Sequence, residues 1–191
     1  MMVGGFLEFI LGNTFPFVVF MSFGAFWLTF GATLQPFYNA YGAYSTDLEN
    51  PAEGLTTVGF NASFAFYLVF MGFLCFIFLI CSLRTNVVFM IIFLFLVPTF
   101  GCLAGAFWQV ANSAAAAAAG DMVASAAHAA TAGRCQIAGG ALAFVVSMAG
   151  WYIFFAIMLA ALDFPFQIPV GDLSTMITGA SERAKRRENM V

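Results

Sequence analysis

Residues 60–83 read FNASFAFYLVFMGFLCFIFLICSL and residues 87–110 read VVFMIIFLFLVPTFGCLAGAFWQV, with only Arg84-Thr85-Asn86 between them. Neither run holds an Asp, Glu, Lys, Arg or His. Each exceeds the ~20 residues a helix needs to cross ~30 Å of hydrocarbon. A barrel reading fails because apolar and polar residues do not alternate, and lipid tolerates only helices or closed barrels, which leave no backbone group unpaired. Two spanning helices joined by a tight turn are therefore predicted. Two further uncharged runs flank this pair, so spans are expected at 16–35, 60–83, 87–110 and 136–162. The predicted fold class is all-α, a polytopic membrane helix bundle with four transmembrane helices.

Composition points the same way. Of 191 residues, 63% are hydrophobic and 8% charged, against about 45–50% and about 25% in a soluble domain. A soluble monomer is excluded, and 26 Phe without a Gly-X-Y period exclude a fibrous chain. The net charge of −3, with most basic residues in one tail, excludes nucleic acid as a partner. Met1–Leu11 carries Glu8 and no basic residue, unlike a signal peptide. Cys75, Cys81, Cys102 and Cys135 form no Cys-x-x-Cys pair, so they read as small packing residues rather than as a disulfide framework or zinc site.

Charge sets the orientation. The segment 36–59 carries Asp47, Glu49 and Glu53 without a basic residue, whereas Arg84 sits in the tight turn and Arg183, Lys185, Arg186 and Arg187 lie in the tail. Excess Lys and Arg mark the cytoplasmic side. The 84–86 turn and both termini are therefore expected in the cytoplasm, with a membrane domain at 1–174 and a cytoplasmic basic tail at 175–191. The Ala-rich stretch Ala111–Gly133 holds Gly120, Asp121 and His128 but few large apolar groups, and is expected to be an outer loop with a helical portion.

Three spans carry small or polar residues at helical spacing: Ser22, Ala25, Thr29 and Thr33; Pro98, Cys102, Gly105, Gln109 and Asn112; and Gln136, Gly140, Ala143, Ser147 and Gly150. Close helix packing explains such stripes, as Gly101-x-x-x-Gly105 also suggests. A polar path is the sharper alternative, with Gln109, Asn112 and Gln136 near the outer helix ends. Pro98 leaves the carbonyl of Leu94 without its usual partner, which can kink a helix or offer a carbonyl to a substrate. Trp27 and Trp151 fall in mid-span and are expected to pack between helices, whereas Tyr38, Tyr41 and Tyr44 suit the outer interfacial belt.

No Asp, Glu, Lys, Arg or His lies within the four expected spans, although a proton pump or redox relay would normally need one. His128 has no second ligand nearby in the sequence, and no nucleophile–base pair or phosphate loop is present. No metal, cofactor or catalytic activity is therefore predicted. Asn61-Ala62-Ser63 matches the glycosylation sequon but lies at the mouth of a span, so it is expected to be unused.

Gly12-Asn13-Thr14-Phe15 leading into Ser22-Phe23-Gly24-Ala25-Phe26-Trp27-Leu28-Thr29 closely resembles the acetate uptake transporter family. That family includes the succinate–acetate permease, the glyoxylate pathway regulator and the ammonia transport outward proteins. Phe76–Asn86, Gly150-Trp151-Tyr152 and Asp163–Ser174 (DFPFQIPVGDLS) resemble its fungal branch, and Gly5-x-x-Glu8-Phe9 resembles the end of its second helix. The likeness runs from about Gly5 to Ser174.

Family members have six helices, so the resemblance implies that the four spans are helices three to six, with the first helix and the hallmark Asn-Pro-Ala-Pro-Leu-Gly-Leu motif outside this chain. Asn50-Pro51-Ala52-Glu53-Gly54-Leu55 imitates that motif but falls in an outer loop. The resemblance implies a plasma-membrane homo-oligomer, a hexamer in bacterial members, that passes acetate and similar small monocarboxylates, with proton-coupled uptake. It places an apolar constriction residue at Phe93 or Leu96, and a small position affecting substrate choice at Ala149 or Gly150. Two alternatives remain beside it: a truncated, non-transporting subunit that regulates complete ones, and ammonium export.

Overall fold

The computed structural model describes residues 1–47 and 49–189, apart from the side chains of Glu182, Arg186 and Arg187. The last two arginines, used above to orient the chain, thus have side chains outside the described set. The helices are α1 (Met2–Ile10), α2 (Thr14–Leu34), α3 (Val58–Ser82), α4 (Val87–Ala118), α5 (Met122–Ala161) and α6 (Ala180–Glu188). The four from α2 to α5 are long and apolar enough to span a membrane. All-α architecture therefore stands, and α2, α3 and the first turn of α4 begin within two residues of the expected runs, whereas α4 ends and α5 begins well outside them, with Arg134 inside α5.

The main difference lies at the Ala-rich stretch. Residues 111–133 are helical except for a turn at 119–121, so α4 and α5 run to 32 and 40 residues. At 1.5 Å per residue they measure about 48 and about 60 Å, well beyond the hydrocarbon thickness. High Ala propensity sustains the helices, and cross-links between them replace the missing apolar bulk. Ser113 Oγ donates to the carbonyl of Ser125 (2.9 Å), and Gln109 Oε1 lies 2.7 Å from His128 Nδ1.

Several helix ends share one device. Gly12, Gly120 and Asp163 have φ of 80°, 81° and 49°, left-handed conformations that reverse the chain. After each, the next residue's N–H reaches five residues back: Asn13 to Glu8, Asp121 to Ala116 and Phe164 to Leu159, at 2.9–3.0 Å. This Schellman closure satisfies carbonyls that a helix end would otherwise leave bare.

The chain divides into two compact units. The first comprises residues 1–71 and 104–135, and aromatic rings fill its core. Phe26 stacks on Tyr67 with centroids 5.1 Å apart, and Phe64 meets Phe30, Phe60 and Phe107 at 5.3, 5.6 and 5.0 Å. Such pairs contribute about 0.5–1.5 kcal/mol each beyond simple burial. Tyr67 satisfies its hydroxyl by donating to the carbonyl of Phe26 (2.8 Å). At the mouth of α3, Asn61 is 3% exposed and its amide donates to the carbonyls of Leu55 and Thr57, which leaves no room for a glycan.

The second unit comprises residues 72–103 and 136–191. Its core holds Cys75, Phe78, Phe93 and Phe100 from α3 and α4, and Leu159 from α5. Pro98 is accommodated inside α4 without ending it, while the hydroxyl of the next residue, Thr99, donates to the carbonyl of Phe95 (2.7 Å). Trp27 and Trp151 do not pack between helices within the protomer: they are 56% and 63% exposed. Each ring instead leans edge-on against a Phe of its own helix, Phe26 or Phe154, and turns its other side outward. Tyr38 and Tyr44 are exposed as an interfacial belt requires, but Tyr41 is buried.

Candidate substrate path

Within the second unit a groove of about 440 Å³ opens beside the first turns of α4. Val87, Val88 and Ile91 form one wall, Ala149 and Tyr152 of α5 another, and Pro169, Val170 and Gly171 cross as a strap. The strap belongs to 163–174, where Pro165, Pro169 and Gly171 prevent a helix from continuing. Two backbone hydrogen bonds pin it to the 82–86 turn: Val87 N–H to the Gly171 carbonyl (2.8 Å) and Leu173 N–H to the Thr85 carbonyl (3.0 Å). Tyr152 Oη donates to the Pro169 carbonyl (2.8 Å) and ties the strap to α5.

The turn beneath is itself fully closed. Asn86 Oδ1 accepts the Phe89 N–H (2.9 Å) as the cap of α4, while Ser82 and Thr85 hydroxyls return to the carbonyls of Leu79 and Ser82. Asp172 accepts the backbone N–H of Ser174 (2.8 Å), and this bond, joined by the Ser174 hydroxyl, holds its carboxyl below the usual carboxylate range. What results is an apolar groove rimmed by satisfied backbone carbonyls. It can receive a small, uncharged or proton-accompanied molecule, and a bare anion would pay a steep desolvation penalty there.

The residues anticipated from sequence are distributed as follows. Ala149 lines the groove, and its neighbour Gly150 faces a shallower hollow with Ser147, Trp151 and Phe154. Phe93 is 1% exposed, held between Phe78 and Phe89 with centroids at 5.5 and 6.4 Å, while Leu96 is half-buried. In the first unit Gln109 is engaged with His128, and Asn112 is exposed. Gln136, in the second unit, is also exposed. Among the described residues no cluster of three or more His, Cys, Asp or Glu could hold a metal.

Gly12-Asn13-Thr14-Phe15 is a turn. Gly12 supplies the left-handed residue, Asn13 precedes α2, and its amide Nδ2 donates to Glu8 Oε2 (2.6 Å). The motif thus fixes how α1 folds back on α2, where Gly5 lies against Met21 and Phe9 meets Phe17 at 5.1 Å. Periodicity did not single out Tyr152, Pro169 and Gly171 as groove residues; the available signal was a proline- and glycine-bearing exit segment after the last span.

Four apolar helices long enough to span a membrane, with an apolar groove between α4, α5 and the strap, define a polytopic membrane protein of the helix-bundle class. Residues 1–175 match the GPR1/FUN34/yaaH family, and the chain belongs to it. Protein alcS of Aspergillus fumigatus is 42% identical over 168 residues, covering 88% of this chain and 57% of that protein. Acetate permease A of Emericella nidulans is 29% identical over 196 aligned positions, covering all of this chain and 57% of the permease. Ammonia transport outward protein 2 of Saccharomyces cerevisiae is 29% identical over 99 residues, 52% of this chain and 32% of that protein. The chain therefore spans little more than half the length of the curated relatives it matches first. No solved structure matches it.

Proposed function

We propose that the chain is a transporter subunit, not an enzyme, carrying acetate and similar small monocarboxylates inward across the plasma membrane together with a proton. The observation that carries this reading is the apolar groove at Ala149, roofed by the strap and lined by no Asp, Glu, Lys, Arg or His. Without a fixed positive charge to neutralise a carboxylate, neutral passage of the acid has the lower barrier. Similarity along the whole chain to a protein named an acetate permease supports the substrate class.

In this reading Ala149 and Gly150 keep the inner mouth of the path narrow enough to pass only small acids. Phe93 and Leu96 supply the apolar constriction, while Gln109 and Asn112 of the first unit, and separately Gln136 of the second, are the residues proposed for an outer vestibule. Both termini face the cytoplasm. Exposed Phe144, Phe154, Phe155 and Ile157 on α5 provide apolar surface for lipid and for the other protomers of a homo-oligomer, a hexamer in this reading.

Labelled acetate uptake at acidic pH, in cells lacking their own permease, tests the proposal. The chain, alone or extended to its relatives' length, should give saturable uptake, and Ala149→Leu should reduce it about tenfold, as expected when ~1.4 kcal/mol is added to a barrier. Uptake at the level of empty cells from both versions contradicts it. Ammonium export is a second reading, favoured by the similarity to ammonia transport outward protein 2. Ammonium efflux from the same cells, insensitive to Ala149→Leu, would select it.

A further inference from the structure

A second cleft, about 420 Å³, lies where the strap passes into α6. It is lined by Arg84, Thr178, Gly179, Ala180, Arg183 and Ala184. Arg84 comes from the α3–α4 turn and Arg183 from α6, so two guanidinium groups 99 positions apart in sequence face one space. The meeting is built rather than incidental. The strap is pinned to the 82–86 turn through Leu173 and Thr85, Gly179 is buried against the Arg84 guanidinium, and Arg183 Nε donates to the Thr178 carbonyl (3.2 Å).

We propose that this cleft binds the phosphate of an anionic phospholipid in the leaflet that the 82–86 turn abuts, so that α6 lies along the membrane surface instead of extending into the cytosol. Depth supports this. Arg84 follows Leu83, the last residue of an apolar run, and therefore sits where lipid phosphates lie. Charge supports it too: five of the chain's six Lys and Arg are Arg84 and four residues of α6, against two Glu in that helix. Arginine forks match phosphate oxygens in pairs.

Apolar exposure favours a lipid over a free anion. Met176 and Ile177, just before α6, are 75% and 40% exposed, and Phe164 and Phe166 of the strap are 45% and 55% exposed. Beside a basic helix, such side chains find shelter at the boundary between headgroups and acyl chains. Inorganic phosphate offers them nothing.

The test uses the full chain extracted from vesicles of equimolar phosphatidylcholine and phosphatidylserine, with retained lipid counted by native mass spectrometry. The retained ratio of phosphatidylserine to phosphatidylcholine should be on the order of 25-fold above the input ratio of one, as two basic residues at ~1 kcal/mol each imply, and should survive millimolar inorganic phosphate. Arg84→Gln with Arg183→Gln should bring retention close to the input ratio, about fivefold being lost per basic residue, as ~1 kcal/mol each implies. Arg84→Lys should keep most of the enrichment, and a thermal melt of each variant confirms folding. Enrichment unchanged by Arg84→Gln overturns the proposal, because the tail's diffuse charge would then suffice. Displacement by inorganic phosphate also overturns it, marking a simple anion site.

Discussion

Gly12, Gly120 and Asp163 occupy the same left-handed position at three helix ends, but only two of them are glycine. An L side chain there costs about 1–2 kcal/mol, and a carboxylate beside a helix C-terminus opposes the helix dipole. Asp163→Gly should therefore raise the thermal midpoint in detergent, by about 1 kcal/mol of stability, while Gly12→Ala lowers it by a similar amount. Equal and opposite shifts in a single melting series would support the closure; a fall for Asp163→Gly would show that its side chain does something else. Asp172 makes a second prediction. Its carboxyl titrates below the usual range, so the support it gives Ser174 is complete above that range and disappears as pH falls through the depressed value. The protection of the Ser174 amide, its exchange rate corrected for the intrinsic pH dependence of exchange, should fall as acid titrates Asp172 below the usual carboxylate range, and Asp172→Asn should abolish that step.

Among the elements, the projecting ends of α4 and α5 show most clearly what a one-dimensional reading misses. Ala111–Gly133 has helical propensity, but it carries no apolar stripe to say what it packs against. The answer lies in pairs 12 and 19 positions apart, Ser113 with Ser125 and Gln109 with His128. Sequence spacing offers Gln109 as a vestibule residue and gives His128 no second metal ligand, and neither reading joins them. The bond should contribute about 1 kcal/mol. In a double-mutant cycle, Gln109→Ala and His128→Ala should each destabilise the protein, and the pair together should cost about 1 kcal/mol less than the sum. Strict additivity would mean the two side chains do not act together. The strap was hidden for the same reason. Its hydrogen bonds join Val87 to Gly171, and no period in a sequence reports a contact across 84 positions. Ala149 was reached through a family motif, and its groove only through the fold.

At the scale of the molecule, the ends of α2 and α3 and the start of α4 were legible because charges stand beside them, whereas the end of α4 and the start of α5 were not, since Arg134 lies inside α5. The orientation we propose rests on the sign of those charges, and it can be tested directly. With Cys81 replaced by Ser, a membrane-impermeant maleimide applied to intact cells should label Asp47→Cys but reach Lys185→Cys only after permeabilisation. The reverse pattern would invert the topology and place the groove at the outer end of the path. The wide apolar exposure of α5 suits lipid or neighbouring protomers better than water. The central claim, that the bundle passes a small acid through the apolar groove at Ala149, is tested most directly with purified chain in lipid vesicles. Labelled acetate should enter with a saturable component above the passive leak of acetic acid, accelerated by an inward proton gradient and suppressed by Ala149→Leu. Entry that rises linearly with acetate and equals that of protein-free vesicles would contradict the account.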